Sequence, residues 1–247
     1  MSHTLLMRLV APMQSWGVQS DFTYRDTGLE PSKSGVIGLL CAALGKPRDE
    51  VHPHNRGKPT LAEMADLRMG VRVDREGLLQ RDYHTAKDVR KASGTKMTDT
   101  KGTEVSERFY LADAAFLVGL EGKDPEMLHK LDDALHHPRW FLYLGRKAFV
   151  PSEPIWIENG VRENQTLEEA LDPRAHPRLR PQHKDYDERM RLVIETKAGE
   201  RSEIARRDQP ISFAKGQRTF SVRYLRIDFC APPIVEEATD VSLSLAP

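Results

Sequence analysis

No stretch of this chain approaches the roughly 18 consecutive apolar residues that a membrane-spanning helix needs. The opening MSHTLLMRLVAP holds too short an apolar run for a signal peptide and passes straight into a strand-like pattern. With no address visible, the expected setting is the cytoplasm. Cysteine is scarce: Cys41 and Cys230 are the only two in 247 residues. That excludes a disulfide framework and points to reduced thiols. Net charge is absent as well, with 37 Lys and Arg against 37 Asp and Glu. The sequence also lacks G-x-G-x-x-G, G-x-S-x-G and C-x-x-C. His52-Pro-His54 and His136-His137 have no companion cysteines or carboxylates at metal-ligand spacing, so neither metal nor cofactor is expected. The Gly/aromatic strand run of RNA-recognition modules is missing too.

What is present suits a soluble globular chain, 39% apolar and 30% charged, long enough for a sizeable core. The zero net charge conceals a distribution. Segment 206–226 carries six Arg/Lys and one Asp, whereas Glu236, Glu237 and Asp240 follow Pro232 with no base. Local fields, not the sum, attract a polyanion, although a solvated basic face explains the segment equally well. Residues 81–108 hold seven Arg/Lys and five Asp/Glu with few core-grade apolars. They cannot build a packed layer, so they form a long insertion or an arm that orders on a partner.

Periodicity predicts a buried strand over 4–10, a polar loop or hairpin over 13–28, and a helix within EPSKSGVIGLLCAALGK (30–46). Val36, Ile37, Leu40, Ala43 and Leu44 form its apolar stripe; Ser32 or Ser34 caps it and Gly45 ends it. Strands are expected over 67–77, 109–122, 189–197 and 218–229. A second helix is expected over 124–138, capped by Asp124 with Pro125 as its first residue. Residues 139–156 read as strand, Gly turn and extended chain; 47–60 and 172–190 read as loops. This order predicts an α+β fold: a ferredoxin-like N-terminal domain over 1–150, resembling RNA-recognition (RRM-like) modules and including the arm at 81–108. A small β-rich part with a flexible tail follows over 151–247.

Four groups of residues carry candidate chemistry. Gly28 to Ser34 is one residue short of a P-loop, lacks its second glycine, and has Pro31 where an amide is needed. Nucleotide hydrolysis is therefore excluded on this motif. Ser32, Lys33 and Ser34 still suit an anion at a helix N-terminus, or simple capping beside an exposed lysine. Tyr83, His84 and Lys87 are the types that supply general base, general acid and charge stabilisation for metal-independent RNA cleavage, and equally the types that contact phosphates without chemistry. Arg146 and Lys147 follow a Gly turn, where an arginine fork suits phosphate. Gln14, Ser15 and Trp16 lie just past the first strand, and Trp16 suits base stacking or a core position.

In their order and spacing, LVAPMQSWG, PSKSGVIGLLCAALG, RDYHT, YLADAAFLVGL and PRWFLYLGRKAFVPSEP resemble the subtype I-E branch of the Cas-five family of CRISPR-associated proteins. The resemblance is strong over residues 4–156 and weaker to about 229. It implies a RAMP fold whose protruding segment 81–108 is a thumb. It implies a non-catalytic RNA-binding subunit of the Cascade interference complex in antiviral defence, one copy per complex. That subunit caps the 5′ handle of the CRISPR RNA and packs against the backbone and large subunits. On this resemblance Ser32, Lys33 and Ser34 become a backbone seat, and Arg146 and Lys147 become handle contacts. Gln14, Ser15 and Trp16 line the same surface, Arg25 joins the RNA-binding set, and Arg81, Tyr83, His84 and Arg108 stand at the roots of the arm. The rival expectation, from other members of the wider family, is an endoribonuclease using Tyr83, His84 and Lys87.

Overall fold

The structure is a computed structural model describing residues 1–19, 23–89, 103–181, 189–200 and 204–231. In chain order its elements are β1 (His3–Val10), β2 (Met13–Gln14), β3 (Tyr24–Arg25), α1 (Lys33–Ala43), α2 (Leu61–Asp66), β4 (Arg68–Arg75), β5 (Leu78–Ala86) and β6 (Glu104–Ala112). They continue as β7 (Ala115–Gly122), α3 (Pro125–His136), β8 (Trp156–Arg162), α4 (Leu167–Leu171), β9 (Met190–Thr196), β10 (Ile204–Ser212) and β11 (Thr219–Cys230).

Seven strands form one antiparallel sheet in the order β10-β11-β9-β4-β7-β1-β8. Within it, β8-β1-β7-β4 are the fourth, first, third and second strands of a β1-α1-β4-β7-α3-β8 series. The run TLLMRLV is apolar at all but Thr4 and Arg8 because both faces of β1 are covered, Arg8 reaching out to Glu153. Leu5, Met7 and Leu9 share a core with Ile37 and Leu40 of α1 and Leu128 and Leu131 of α3. Leu6 faces the other way, into a cluster with Leu117 of β7 and Leu167 and Leu171 of α4. A cross-strand glycine pair, Gly70 and Gly119, lets α4 lie close. A Cβ at Gly119 would stand 2.6 Å from Leu167, and one at Gly70 2.8 Å from Leu171.

Caps fix the long helices. Ser32 Oγ accepts from the Gly35 amide at the start of α1, and Gly45 follows its end at φ +61°. Asp124 accepts from the Glu126 and Met127 amides, with Pro125 opening α3.

The structure departs from the sequence expectations in three places. Residues 109–122 are two strands of different sheets, because Asp113 takes the left-handed conformation at φ 57° and breaks the run. Residues 139–155 are irregular. Pro138, Pro151 and Pro154 withhold donors, and the Arg139 and Trp140 amides instead bond the Ala43 and Ala42 carbonyls at the end of α1. The strands after 150 join the first sheet, β8 beside β1 and β9, β11 and β10 beyond β4, so the expected boundary at 150 falls within one continuous sheet. The tail 232–247 and residues 182–188 lie outside the described residues.

A second sheet is built on β6, which pairs with β5 along its length and with β2 and β3 near its base. The β5–β6 ribbon contains the segment 81–108 read as an arm and extends a few residues beyond it at each end; of that segment 90–102 lies outside the described residues. Most of β5 is exposed. Among the described residues no helix is long and apolar enough to cross a membrane.

Candidate nucleic-acid interface

At the N-terminus of α1 the anion seat is filled from within. The Lys33 amide donates to Asp208 Oδ2 at 2.8 Å, so a carboxylate of β10 occupies the place foreseen for phosphate. Arg223 holds that carboxylate through Nε and Nη2 at 2.6 and 2.9 Å. Lys33 itself is fully buried, and its ammonium donates to both oxygens of Glu195 at 2.9 Å. Burial lowers its pKa, with Glu195 working in the opposite direction. Beside this cluster Glu30 bridges Arg191 and Arg206. The reading of Lys33 as a backbone contact is corrected accordingly: its charge is spent on the joint between α1 and strands β9 to β11. Ser32 is likewise a buried cap.

Gln14, Ser15 and Trp16 do not line a surface either. Gln14 is buried, donating to the Leu9 and Ala114 carbonyls and accepting from Trp16 Nε1. Trp16 is 2% exposed and packs on α1, where a Cβ at Gly35 would stand 3.0 Å from its ring. Ser15 serves through its backbone, its amide donating to the Leu144 carbonyl. Against that backbone rests Gly145, at φ +99°, where a Cβ would fall 1.8 Å from the Ser15 carbonyl oxygen. Only glycine fits.

The Gly145 turn carries Arg146 to the base of the ribbon. Arg146 Nη2 donates to the Phe109 and Arg25 carbonyls at 2.8 and 3.2 Å, and its guanidinium lies 5.4 Å from the centre of the Phe149 ring. Arg25 and Arg108 are register partners on adjacent strands and so share one face. Burial lowers the Arg146 pKa first and the Arg108 charge lowers it further; Asp82, the register partner of Arg108 on β5, raises it, with smaller opposing effects from Arg25 and Asp26. Among the described residues none of the three is bridged to a carboxylate. Tyr24 and Phe109, rings 5.0 Å apart, alternate with Arg25 and Arg108 along the same strands and so stand on the opposite face. The arginine face suits phosphate, through guanidinium groups that no carboxylate bridges among the described residues.

Farther along the ribbon, Arg81 pairs with Glu107 at 3.2 Å. Tyr83 and His84 are adjacent on β5, opposite Glu107 and Ser106, so their side chains leave opposite faces of the ribbon. Lys87 follows the end of the strand. The three do not converge on one reacting atom.

Lys147 turns the other way, into a cleft that Ser34 also lines. Beside them stand Trp140, Phe141, Arg48 and Arg218, which sequence reasoning missed. The signal of Trp140 and Phe141 was available in the aromatic run RWFLYLGRK, but read as a strand it places half of those rings in the core. Among the described residues no group of three or more His, Cys, Asp or Glu could hold a metal ion.

A model of the family described as CRISPR-associated protein (Cas_Cas5) matches residues 4–226. The CRISPR system Cascade subunit CasD of Escherichia coli (strain K12) is 34% identical over 164 residues, 62% of this chain and 69% of that protein. A solved crystal structure of a Cas protein is 38% identical, with TM-score 0.67, over 93% of this chain and 97% of that one. A chain of a solved CRISPR RNA-guided surveillance complex is 34% identical, with TM-score 0.70, over 94% of this chain and 91% of that one.

Proposed function

The chain belongs to the CRISPR-associated Cas5 family, and from that membership we propose that it is the RNA-binding subunit that caps the 5′ handle of CRISPR RNA in a type I-E Cascade complex. It acts in the cytoplasm in antiviral defence, one copy per complex, against the backbone and large subunits. The sheet series β8-β1-β7-β4 is read as its ferredoxin-like core and the β5–β6 ribbon as its thumb over the RNA. The observation that carries the reading is the trio Arg25, Arg108 and Arg146 at the root of that ribbon, crowded together and bridged to no carboxylate among the described residues. Contacts of this kind go to phosphate and sugar and fix register rather than sequence.

The subunit binds without cutting. Tyr83 and His84 point to opposite faces, which disfavours the endoribonuclease reading. The test incubates the purified protein, free and co-assembled, with end-labelled repeat-derived RNA in the absence of added metal. A mobility shift with intact RNA is the expected result. Specific cleavage abolished by His84→Ala overturns the non-catalytic reading, and no binding in either form overturns RNA recognition itself.

A further inference from the structure

A cleft of about 570 Å³ opens on the side of the Gly145 turn away from the ribbon. Its floor is one face of α1, formed by Ser34, Gly35, Gly38 and Ala42. At Gly38 an added Cβ would meet nothing within 4 Å, so this face lies open. One wall is the 140–147 segment. There Phe141 is 84% and Trp140 49% exposed, although large aromatic rings on a free surface cost hydration. The opposite wall comes from the turn between β10 and β11, through Phe213 and Arg218.

The charges are lopsided. Lys46, Arg48, Lys147 and Arg218 line the cleft with a single carboxylate, Glu50. Glu50 is committed, bound to Lys46 at 2.7 Å and to the Leu61 amide at 3.1 Å. Arg48, Lys147 and Arg218 have no carboxylate partner among the described residues; Arg218 lies over the Phe220 ring at 5.4 Å. Exposed ring faces, spare cations and a floor of mostly small residues are complementary to one planar base and its phosphates. An apolar protein side chain would leave the cations unanswered.

We propose that this cleft is a nucleotide subsite: it takes one unstacked base of the same single-stranded RNA that crosses the arm root. The proposal rests on the RNA-binding reading above. Arg146 and Lys147, neighbours on one turn pinned to the Ser15 backbone, face the two sides. The RNA would cross that turn as over a saddle, phosphates on Arg25, Arg108 and Arg146 before it, and a splayed base on Phe141 or Trp140 after it.

The test uses single-stranded repeat-derived RNA with 2-aminopurine placed at one position at a time, bound to the full chain or its assembled complex. Fluorescence at one position should change on binding, and Phe141→Ala should abolish that change while weakening binding roughly 5- to 100-fold. Gly38→Leu fills the cleft from an open helix face, so it should lose the same signal with its thermal midpoint unchanged or raised. If Arg108→Ala weakens binding but both cleft variants match the wild type in affinity and fluorescence, the subsite is wrong and the RNA-binding reading stands. If the cleft variants break assembly at unchanged RNA affinity, a partner protein fills the cleft and the proposal falls. If the wild type binds no RNA, free or assembled, both readings fall together.

Discussion

At the N-terminal end of α1, Lys33, Arg223, Arg191 and Arg206 each face a carboxylate of the same chain. At the root of the β5–β6 ribbon, Arg25, Arg108 and Arg146 are bridged to none among the described residues. Both regions gather basic residues, and they use them in opposite ways. The first is closed: its cations and carboxylates answer each other out of water, and their removal from solvent offsets much of what the pairing contributes. The second sets three guanidinium groups close together, with Asp82 and Asp26 near them but none of the three bridged among the described residues, so an arriving anion still finds guanidinium donors there. A basic segment therefore says little until the partner of each charge is known.

The largest expected effect separates the two regions by stability. Asp208→Ala leaves Arg223 and Lys33 buried with one carboxylate fewer and should cost about 3–5 kcal/mol. For a chain of this size that lowers the thermal midpoint by roughly 6–20 °C in a calorimetric scan. Arg108→Ala, on the ribbon, should shift it by about 2 °C or less. The reverse ranking would break the comparison, since the network would then be the working surface and the arm root the structural one.

That contrast also marks what the sequence made legible. The apolar stripe of α1, its Ser32 cap and the Asp124 start of α3 depend on residues close in sequence, and all were readable. So were β1, β4, β9 and β11, whose apolar runs or alternation are local. The partner of Lys33 was not, because Glu195 is 162 positions away and Asp208 sits on β10, a strand that Arg206, Arg207 and Pro210 disguise. Edge position makes Pro210 tolerable there. Trp140 and Phe141 were missed for the converse reason: an aromatic-rich run has the composition of a strand, and only the prolines around it and the helix carbonyls it bonds make it a loop. Arg146 was legible as a phosphate candidate after its Gly turn, whereas Arg25 and Arg108 were named through family resemblance; the convergence of the three depends on a parallel pairing of the two-residue β3 with β6 that no local pattern announces.

The middle effect separates the regions by salt. Each phosphate contact removed from a single-stranded RNA complex should flatten the log–log dependence of affinity on salt by about 0.7. Arg25→Ala and Arg108→Ala should each show this, with affinity about tenfold weaker at physiological salt. Lys33→Met, measured where the variant is folded, should leave the slope as in the wild type. A flattened slope for Lys33→Met would mean that the network opens to RNA, and the division drawn above would have to be abandoned.

The smallest effect probes the helix that joins the regions. Cys41 stands on the face of α1 that floors the cleft, yet burial pushes its thiol up from 9.0 to about 12, against a weaker pull from Lys46. The sign follows from proton counting: above pH 9 the unfolded chain loses this proton while the folded chain keeps it. Stability is therefore untouched below that value and falls as pH rises from 9 towards 12. Urea unfolding at pH 8 and pH 10 should show the wild type losing about 1 kcal/mol more than Cys41→Ala over that interval. Taking the difference removes every other titrating group. Parallel losses would mean a hydrated thiol, hence a wet floor; the predicted divergence would mean that the cleft ends on a dry, apolar helix face, the kind of surface against which a base gains most by leaving water.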